Sequence, residues 1–288
     1  MIELDILVRI LVYGATISGI WALIASGFTL IFGVSRILNF THGAFFILGA
    51  YFGIILIYSF GLGPYISTLI GMSMVGLLAM VAYKGIMAPV RHHAVMVIIV
   101  TLALALVLEQ FVLIVFGEHG ISFPSMVIGI SYIAGVPVPN IRLFVLVIAI
   151  IALALLGFFI NKTRLGKEIT AASQDMESAM LVGLNIDKLF MITMFISAIL
   201  AALGGSLFAQ IYAINPFLTV KALIFAFAIV ILGGLGSVKG SVVAAFIVGY
   251  ILTIVITLFG ARWAELVAML IIIAILVIRP TGLFGVKE

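Results

Sequence analysis

Apolar residues run through this chain in long blocks, and short breaks between the blocks carry most of its charge. Nine blocks can be drawn, at 8–33, 43–60, 65–83, 94–116, 142–160, 189–212, 221–236, 241–260 and 263–279. Runs of about eighteen or more apolar residues match a helix that crosses the ~30 Å hydrocarbon layer. The alternation in segments of about ten residues that marks a transmembrane β-strand is absent. The pattern predicts an all-α, polytopic helical membrane protein with eight to nine membrane segments, folded as one transmembrane domain over residues 1–288. Blocks 43–60 and 221–236 are short and adjoin Gly-rich breaks, so either is a candidate half-span or re-entrant element.

Composition agrees with the pattern. The chain is 66% hydrophobic and 8% charged, with mean hydropathy +1.48, where a soluble domain would be about a quarter charged. The net charge of +4 would raise nucleic acid as a partner for a soluble protein. Here the basic residues sit between apolar blocks, so topology accounts for them and no nucleic acid partner is expected. The absence of cysteine excludes disulfides, iron–sulfur clusters and thiol nucleophiles. The start, Met1-Ile2-Glu3-Leu4-Asp5, lacks the basic region of a cleavable signal, so the first block is expected to stay as an anchor.

Two breaks are long. Residues 161–188 hold Lys162, Arg164, Lys167, Glu168, Asp175, Glu177, Asp187 and Lys188. Placing this break in the cytoplasm and alternating outward puts Arg36, Lys84, Arg91, Lys239, Arg279 and Lys287 inside as well. Arg9, Arg142, Lys221 and Arg262 then fall outside, as the positive-inside rule prefers. The C-terminus is expected in the cytoplasm, and the protein in the cell (inner) membrane among its lipids. Within the break, Ile169, Ala172, Met176, Ala179 and Met180 recur at helical spacing, which predicts one or two short amphipathic helices between Thr170 and Val182. Asp175 or Ser173 can cap such a helix and Gly183 can end it. A helix lying on lipid usually carries Lys and Arg on its polar face. This one carries acids and alanines, which favours docking into a protein groove. The other long break, 117–141, is rich in Gly and Pro, and too apolar for a solvated linker. It is expected to pack on the mouth of the bundle or on an external partner.

Candidate chemistry is sparse. Asn39, Thr41, His42 and Gly43 follow a Gly-containing block, and polar groups in apolar sequence need hydrogen-bond partners. They form either a polar turn at the interface or the start of a broken helix whose free N–H groups point into a central path. Glu109 and Gln110 lie inside the fourth block, and an intramembrane carboxylate is costly enough to mark a site. These six residues are the candidates for a substrate path. The run Gly233-Gly234-Leu235-Gly236-Ser237-Val238-Lys239-Gly240 is not a phosphate loop, because Lys239 precedes the last glycine instead of following it. Gly233, Gly234, Gly236, Ser237 and Gly240 read as a tight turn with close helix contact. No catalytic set and no metal-ligand spacing appears among the four histidines.

Taken together, several motifs resemble the permeases of branched-chain amino acid ABC importers. They are Leu30-Ile31-Phe32-Gly33-Val34 through Asn39-Phe40-Thr41-His42-Gly43, with Gly49-Ala50-Tyr51. They continue with Gly166-Lys167, Ala171-Ala172-Ser173-Gln174-Asp175, Ala179 and Gly183, then the Gly233–Gly240 run and the ending Arg279-Pro280-Thr281-Gly282-Leu283-Phe284-Gly285. The resemblance spans the chain and is closest to the shorter of the two partner permeases. It implies an importer permease bundle that works beside a second related permease, two cytoplasmic ATPase subunits and an external solute-binding protein. Gly166, Lys167, Ala171, Ala172, Gln174, Asp175, Ala179 and Gly183 would then belong to the segment seated in the ATPase. ATP would be used by those partners, with no cofactor held by this chain. Relatives of such permeases also handle urea and amides. Thr41 stands where that family commonly has a small apolar residue.

Overall fold

A computed structural model describes residues 2–279 and 281–284. Met1, Lys287, and Pro280 and Gly285 of the terminal motif lie outside the described residues. The chain runs through α1 (Ile2–Ser35), α2 (His42–Phe60) and α3 (Pro64–Ala82), the last prolonged by a π turn (Tyr83–Met87) and a 3-10 turn (Ala88–Val90). Next come α4 (Ala94–Phe116), a hairpin of β1 (Ile130–Ile133) and β2 (Val136–Pro139), and α5 (Asn140–Lys162). Two short helices, α6 (Arg164–Gln174) and α7 (Met176–Leu181), lead to α8 (Ile186–Ala209), α9 (Leu218–Gly233), α10 (Val238–Phe259) and α11 (Ala261–Ile278).

Among the described residues, eight helices are long and apolar enough to cross a membrane. Block 43–60, expected to be short, is the 19-residue helix α2 and has crossing length. Block 221–236 is α9, whose 16 residues do not reach it.

The centre is α1, which packs against α5, α8, α9 and α10. Its most apolar stretch is 94% buried, against 17% for α5 and α11, whose apolar side chains face outward. The reason is visible in its small residues, Gly14, Ser18, Gly19, Ala22, Ala25, Ser26 and Gly27. In hydrocarbon, helices gain little by hiding apolar surface from one another, so close backbone approach decides which ones touch. A β-carbon on Gly27 would lie 2.7 Å from the Ser197 carbonyl oxygen of α8. One on Gly249 of α10 would collide with Ser18 of α1. The α2–α8 contact is built the same way, with Gly49 against the Ala202 backbone and Gly205 against the Phe46 carbonyl. Trp21 stacks on Phe46 with ring centroids 6.2 Å apart and tilts onto Phe225, filling the space between α1, α2 and α9.

The loop at 117–141 contains the hairpin, a small addition to an otherwise helical bundle. Its turn uses positive φ at both Ala134 (51°) and Gly135 (81°), the backbone that suits two-residue hairpins. Val136 and Val138 are buried against Val8, Val12, Tyr13 and Leu143. Arg142, just after it, lays its guanidinium 3.7 Å from the centroid of the Tyr13 ring. Phe123 is buried, and Ile121 pairs with Ile214 through two backbone hydrogen bonds of 2.9 Å. Ile128, Ile130 and Tyr132 remain exposed beyond this layer.

Gly205→Val forces a branched side chain onto the Phe46 carbonyl. It should lower the thermal unfolding midpoint in detergent and cost about 1–3 kcal/mol or more, whereas Gly157→Ala, in open space, should leave the midpoint within a degree or so.

Candidate functional site

The segment that links α1 to α2 is a buried polar joint. After Arg36, in a left-handed conformation at φ 54°, the chain turns back into the bundle. The Thr41 amide donates to Asn39 Oδ1 at 3.1 Å, and Thr41 Oγ1 donates to the Thr101 carbonyl of α4 at 2.9 Å. The Phe40 amide donates to Thr101 Oγ1 at 3.2 Å. His42 Nε2 donates to the Ile24 carbonyl of α1 at 2.9 Å. Its Nδ1 lies 3.4 Å from Ser197 Oγ of α8, which itself donates to the Gly27 carbonyl at 2.7 Å. A carbonyl can only accept, so the proton sits on Nε2. Asn39, Thr41 and His42 are fully buried, and a β-carbon on Gly43 would strike the Thr219 carbonyl near the start of α9.

This geometry answers the first expectation for the motif and bears on the second. It is no interfacial turn, because it lies among five helices. A helix does start here, α2 at His42, one residue from the expected Thr41, and three of the amides in its first turn are already bonded. Those of His42, Ala44 and Phe45 bond to the carbonyls of Asn39 and Thr41. The polar groups are spent on one another, as hydrocarbon demands.

Glu109 faces inward from α4 and is 7% exposed. One of its carboxylate oxygens, and Asn215 Oδ1 ahead of α9, have no hydrogen-bond partner among the described residues. Glu109 lies beside Thr219 of α9. Gln110 is exposed on the surface of the bundle, so the structure separates the two neighbours. Lys221 of α9 and Glu265 of α11 form an ion pair that ties those helices together.

The 161–188 break forms a second assembly. Thr163 caps α6 by accepting from the Gly166 amide at 3.0 Å. The corner between α5 and α6 needs glycine at 166, since a β-carbon would meet the Phe159 carbonyl. The helix therefore starts at Arg164, six residues before the expected Thr170. Ile169 and Ala172 are buried, and Arg36 donates to the Ser173 carbonyl at 2.7 Å, fastening α6 to the end of α1. Asp175 caps α7, accepting from the Ser178 amide at 3.0 Å. Hydrogen bonds from the Ser178 hydroxyl and amide hold the Asp175 carboxyl below the usual carboxylate range, so it stays charged at the positive end of α7. Gly183 ends α7 at φ 85°, and Asn185 caps α8 by accepting from the Lys188 amide at 3.0 Å. Ala179 is buried beneath α7, while Lys167, Ala171, Gln174 and Gly183 are exposed. Met180, expected on the buried stripe, is 50% exposed instead. Next to it stand Leu181 at 88% and Val182 at 78%, so α7 ends in an apolar knob. Sequence reasoning passed over that knob. Its signal was a pair of bulky apolar residues just before Gly183.

At the same end of the bundle, the Gly233–Gly240 run is a backbone junction. β-Carbons on Gly233 and Gly240 would each strike the other residue's main chain, so α9 and α10 meet without side chains between them. Ser237 caps α10 by accepting from the Gly240 amide at 3.1 Å, and Gly236 turns at φ 84°. The terminal motif folds back onto this junction. Leu283 donates to the Leu232 carbonyl at 2.8 Å and Phe284 to that of Gly233 at 3.1 Å, while Gly282 lies against Gly234. Among the described residues no group of three His, Asp or Glu side chains is placed to hold a metal.

The chain has known relatives over almost its full length. It is 26% identical to a high-affinity branched-chain amino acid transport system permease protein, LivH, of Salmonella typhimurium, over 96% of this chain and 94% of the relative. The LivH protein of Escherichia coli K12 is 27% identical at the same coverage, and BraD of Pseudomonas aeruginosa is 28% identical over 96% and 95%. Among solved structures, PsaBC from Streptococcus pneumoniae in complex with Fab aligns over 98% of this chain and 97% of that one. Its TM-score is 0.55 at 15% identity, which is a likeness of fold. Residues 10–276 match the family model described as the permease component of the branched-chain amino acid transport system, and the chain belongs to that family.

Proposed function

We propose that this chain is the membrane-spanning subunit of an ATP-driven importer of branched-chain amino acids. In this reading it works by alternating access beside a second, related permease. Two ATPase subunits act from the cytoplasm and an external solute-binding protein delivers the substrate. The supporting observation is the α6–α7 segment. It is rigidly capped, buried along Ile169, Ala172 and Ala179, and ends in the exposed Met180–Val182 knob. Water is a poor environment for three adjacent bulky apolar side chains, and a groove on a soluble partner is a good one. The basic residues Lys162, Arg164, Lys167, Lys188 and Lys239 cluster with this segment or at the same end of the bundle, which favours a cytoplasmic α6–α7. The exposed Ile128 and Tyr132 of the opposite loop then face the binding protein.

ATP closes the ATPase dimer, the dimer carries α6–α7 with it, and the Gly166 corner and the Arg36–Ser173 hydrogen bond pass that movement to α5 and α1. In this reading Glu109 and the start of α9 supply polar groups to a substrate path lined otherwise by apolar side chains. Such a lining suits an aliphatic side chain better than urea, which would need more hydrogen-bonding groups.

In proteoliposomes holding both permeases, the ATPases and the binding protein, leucine uptake should require ATP and should not be displaced by urea. ATP-independent uptake by this chain alone would remove the importer reading. Leu181→Asp should cut ATP-driven leucine uptake by about tenfold or more, the scale of one lost anchor residue, while the purified chain unfolds at an unchanged temperature. The natural chain has no cysteine. A single Glu177→Cys should therefore react with a membrane-impermeant maleimide only in inside-out vesicles, and Tyr132→Cys only in right-side-out ones.

A further inference from the structure

Helices α5 and α10 both pack on α1. Near the middle of α1 they are held tightly, α5 through Ala149 against Gly19 and α10 through Gly249 against Ser18. Toward the α6 end a cavity of about 670 Å³ lies between them, floored by Leu30, Gly33 and Val34 of α1. That volume lies in the range of about 300–1,000 Å³ usual for small-ligand pockets. Its depth is hydrocarbon in character, walled by Leu153, Ala154 and Gly157 of α5 and by Val242 and Phe246 of α10. Its rim is polar. Asn161 ends α5 there, Thr170 and Ser173 reach it from α6, and Ser237 and Lys239 open α10.

The charge of this site is one-sided. Lys239 is the one charged residue in the lining, and no carboxylate belongs to it. A second cation adjoins the rim, because Arg36 is exposed and bonded to the carbonyl of the lining residue Ser173. Lys239 is also without a carboxylate partner among the salt bridges of the described residues. An apolar wedge between two helices, rimmed by hydroxyls, an amide and two cations, has the polarity of an amphiphile. Its tail would lie between α5 and α10, and its anionic head would lie at Lys239.

The geometry points to a binding site for one anionic phospholipid between α5 and α10, with the phosphate at Lys239 and Ser237 and an acyl chain along Ala154 and Val242. Lipid beside the bundle is abundant, and a lysine at the membrane surface draws anionic headgroups. The third wall of the cavity is α6. A bound lipid therefore touches the segment assigned above to ATPase coupling, and it sets how closely α6 can approach α5 and α10. That regulatory role rests on the coupling assignment; the binding site itself does not.

The test uses the purified full chain in detergent, supplied with equal phosphatidylglycerol and phosphatidylcholine and read by native mass spectrometry. The wild-type chain should retain phosphatidylglycerol in preference by about fivefold, the effect of one cationic contact. Lys239→Glu, an exposed change that leaves the fold intact, should abolish the preference. Ala154→Trp should fill the wedge and reduce retention of both lipids. Equal retention of the two lipids by the wild type, or an unchanged preference in Lys239→Glu, would overturn the site. So would competition by inorganic phosphate, which would assign Lys239 to a free anion. Loss of the lipid when the second permease is added would assign the wedge to a partner helix instead. Retention is read without transport, so a failed uptake assay leaves this result standing.

Discussion

A backbone or side-chain polar group inside hydrocarbon must find its partner within the protein, and this bundle is arranged around one place where many do so at once. The His42 imidazole is pinned by the Ile24 carbonyl on one side and borders Ser197 on the other, while Ser197 closes on Gly27. Thr41 and Phe40 meanwhile close on Thr101. These bonds tie the start of α2 to α1, α4 and α8. They require α1 and α8 to approach to backbone distance, which Gly27 alone permits at that level. Withdrawing any one partner leaves a buried donor or acceptor unsatisfied, at a cost of about 1–3 kcal/mol. The tight glycine contacts and the polar joint are thus one device: the glycines bring the backbones close, and the hydrogen bonds fix their register.

Much of the architecture could be read from the chain because membrane solvent imposes a crude and legible code. Apolar blocks gave helices within a few residues at α3, α4 and α5, and the break at 161–188 gave the caps at Asp175 and Gly183. Three features escaped for identifiable reasons. The hairpin hid because Val136-Pro137-Val138-Pro139 alternates over only four residues amid glycine and proline. Helix α6 began early because its cap, Thr163, carries no periodic signal. The inward fate of the Asn39–His42 run was hidden because polarity in a linear sequence says that a partner is needed, without saying whether water or another helix provides it.

The candidate site was legible in part. Gly166 was picked out by resemblance, and its physical reason, the collision of any side chain with Phe159, needs three dimensions. Glu109 was singled out by the cost of its charge, and it does lie buried beside α9. Gln110, adjacent in sequence, reaches the surface instead, since a step of about 100° around the helix is enough to leave the buried face. Leu181 and Val182 carry no sequence signal of their own because apolar residues are common throughout such a chain, and only their exposure at a polar end sets them apart.

The return of the terminal motif onto α9 has a consequence for the order of assembly. The carbonyls of Leu232 and Gly233 are at the end of a helix and have no later turn to bond with. Their donors, the amides of Leu283 and Phe284, are synthesised only after α10 and α11. Until those residues follow, the two carbonyls need another donor, such as water. The closing of that end is a late event, and it makes the bundle's completion sensitive to the fate of a few residues far along the chain.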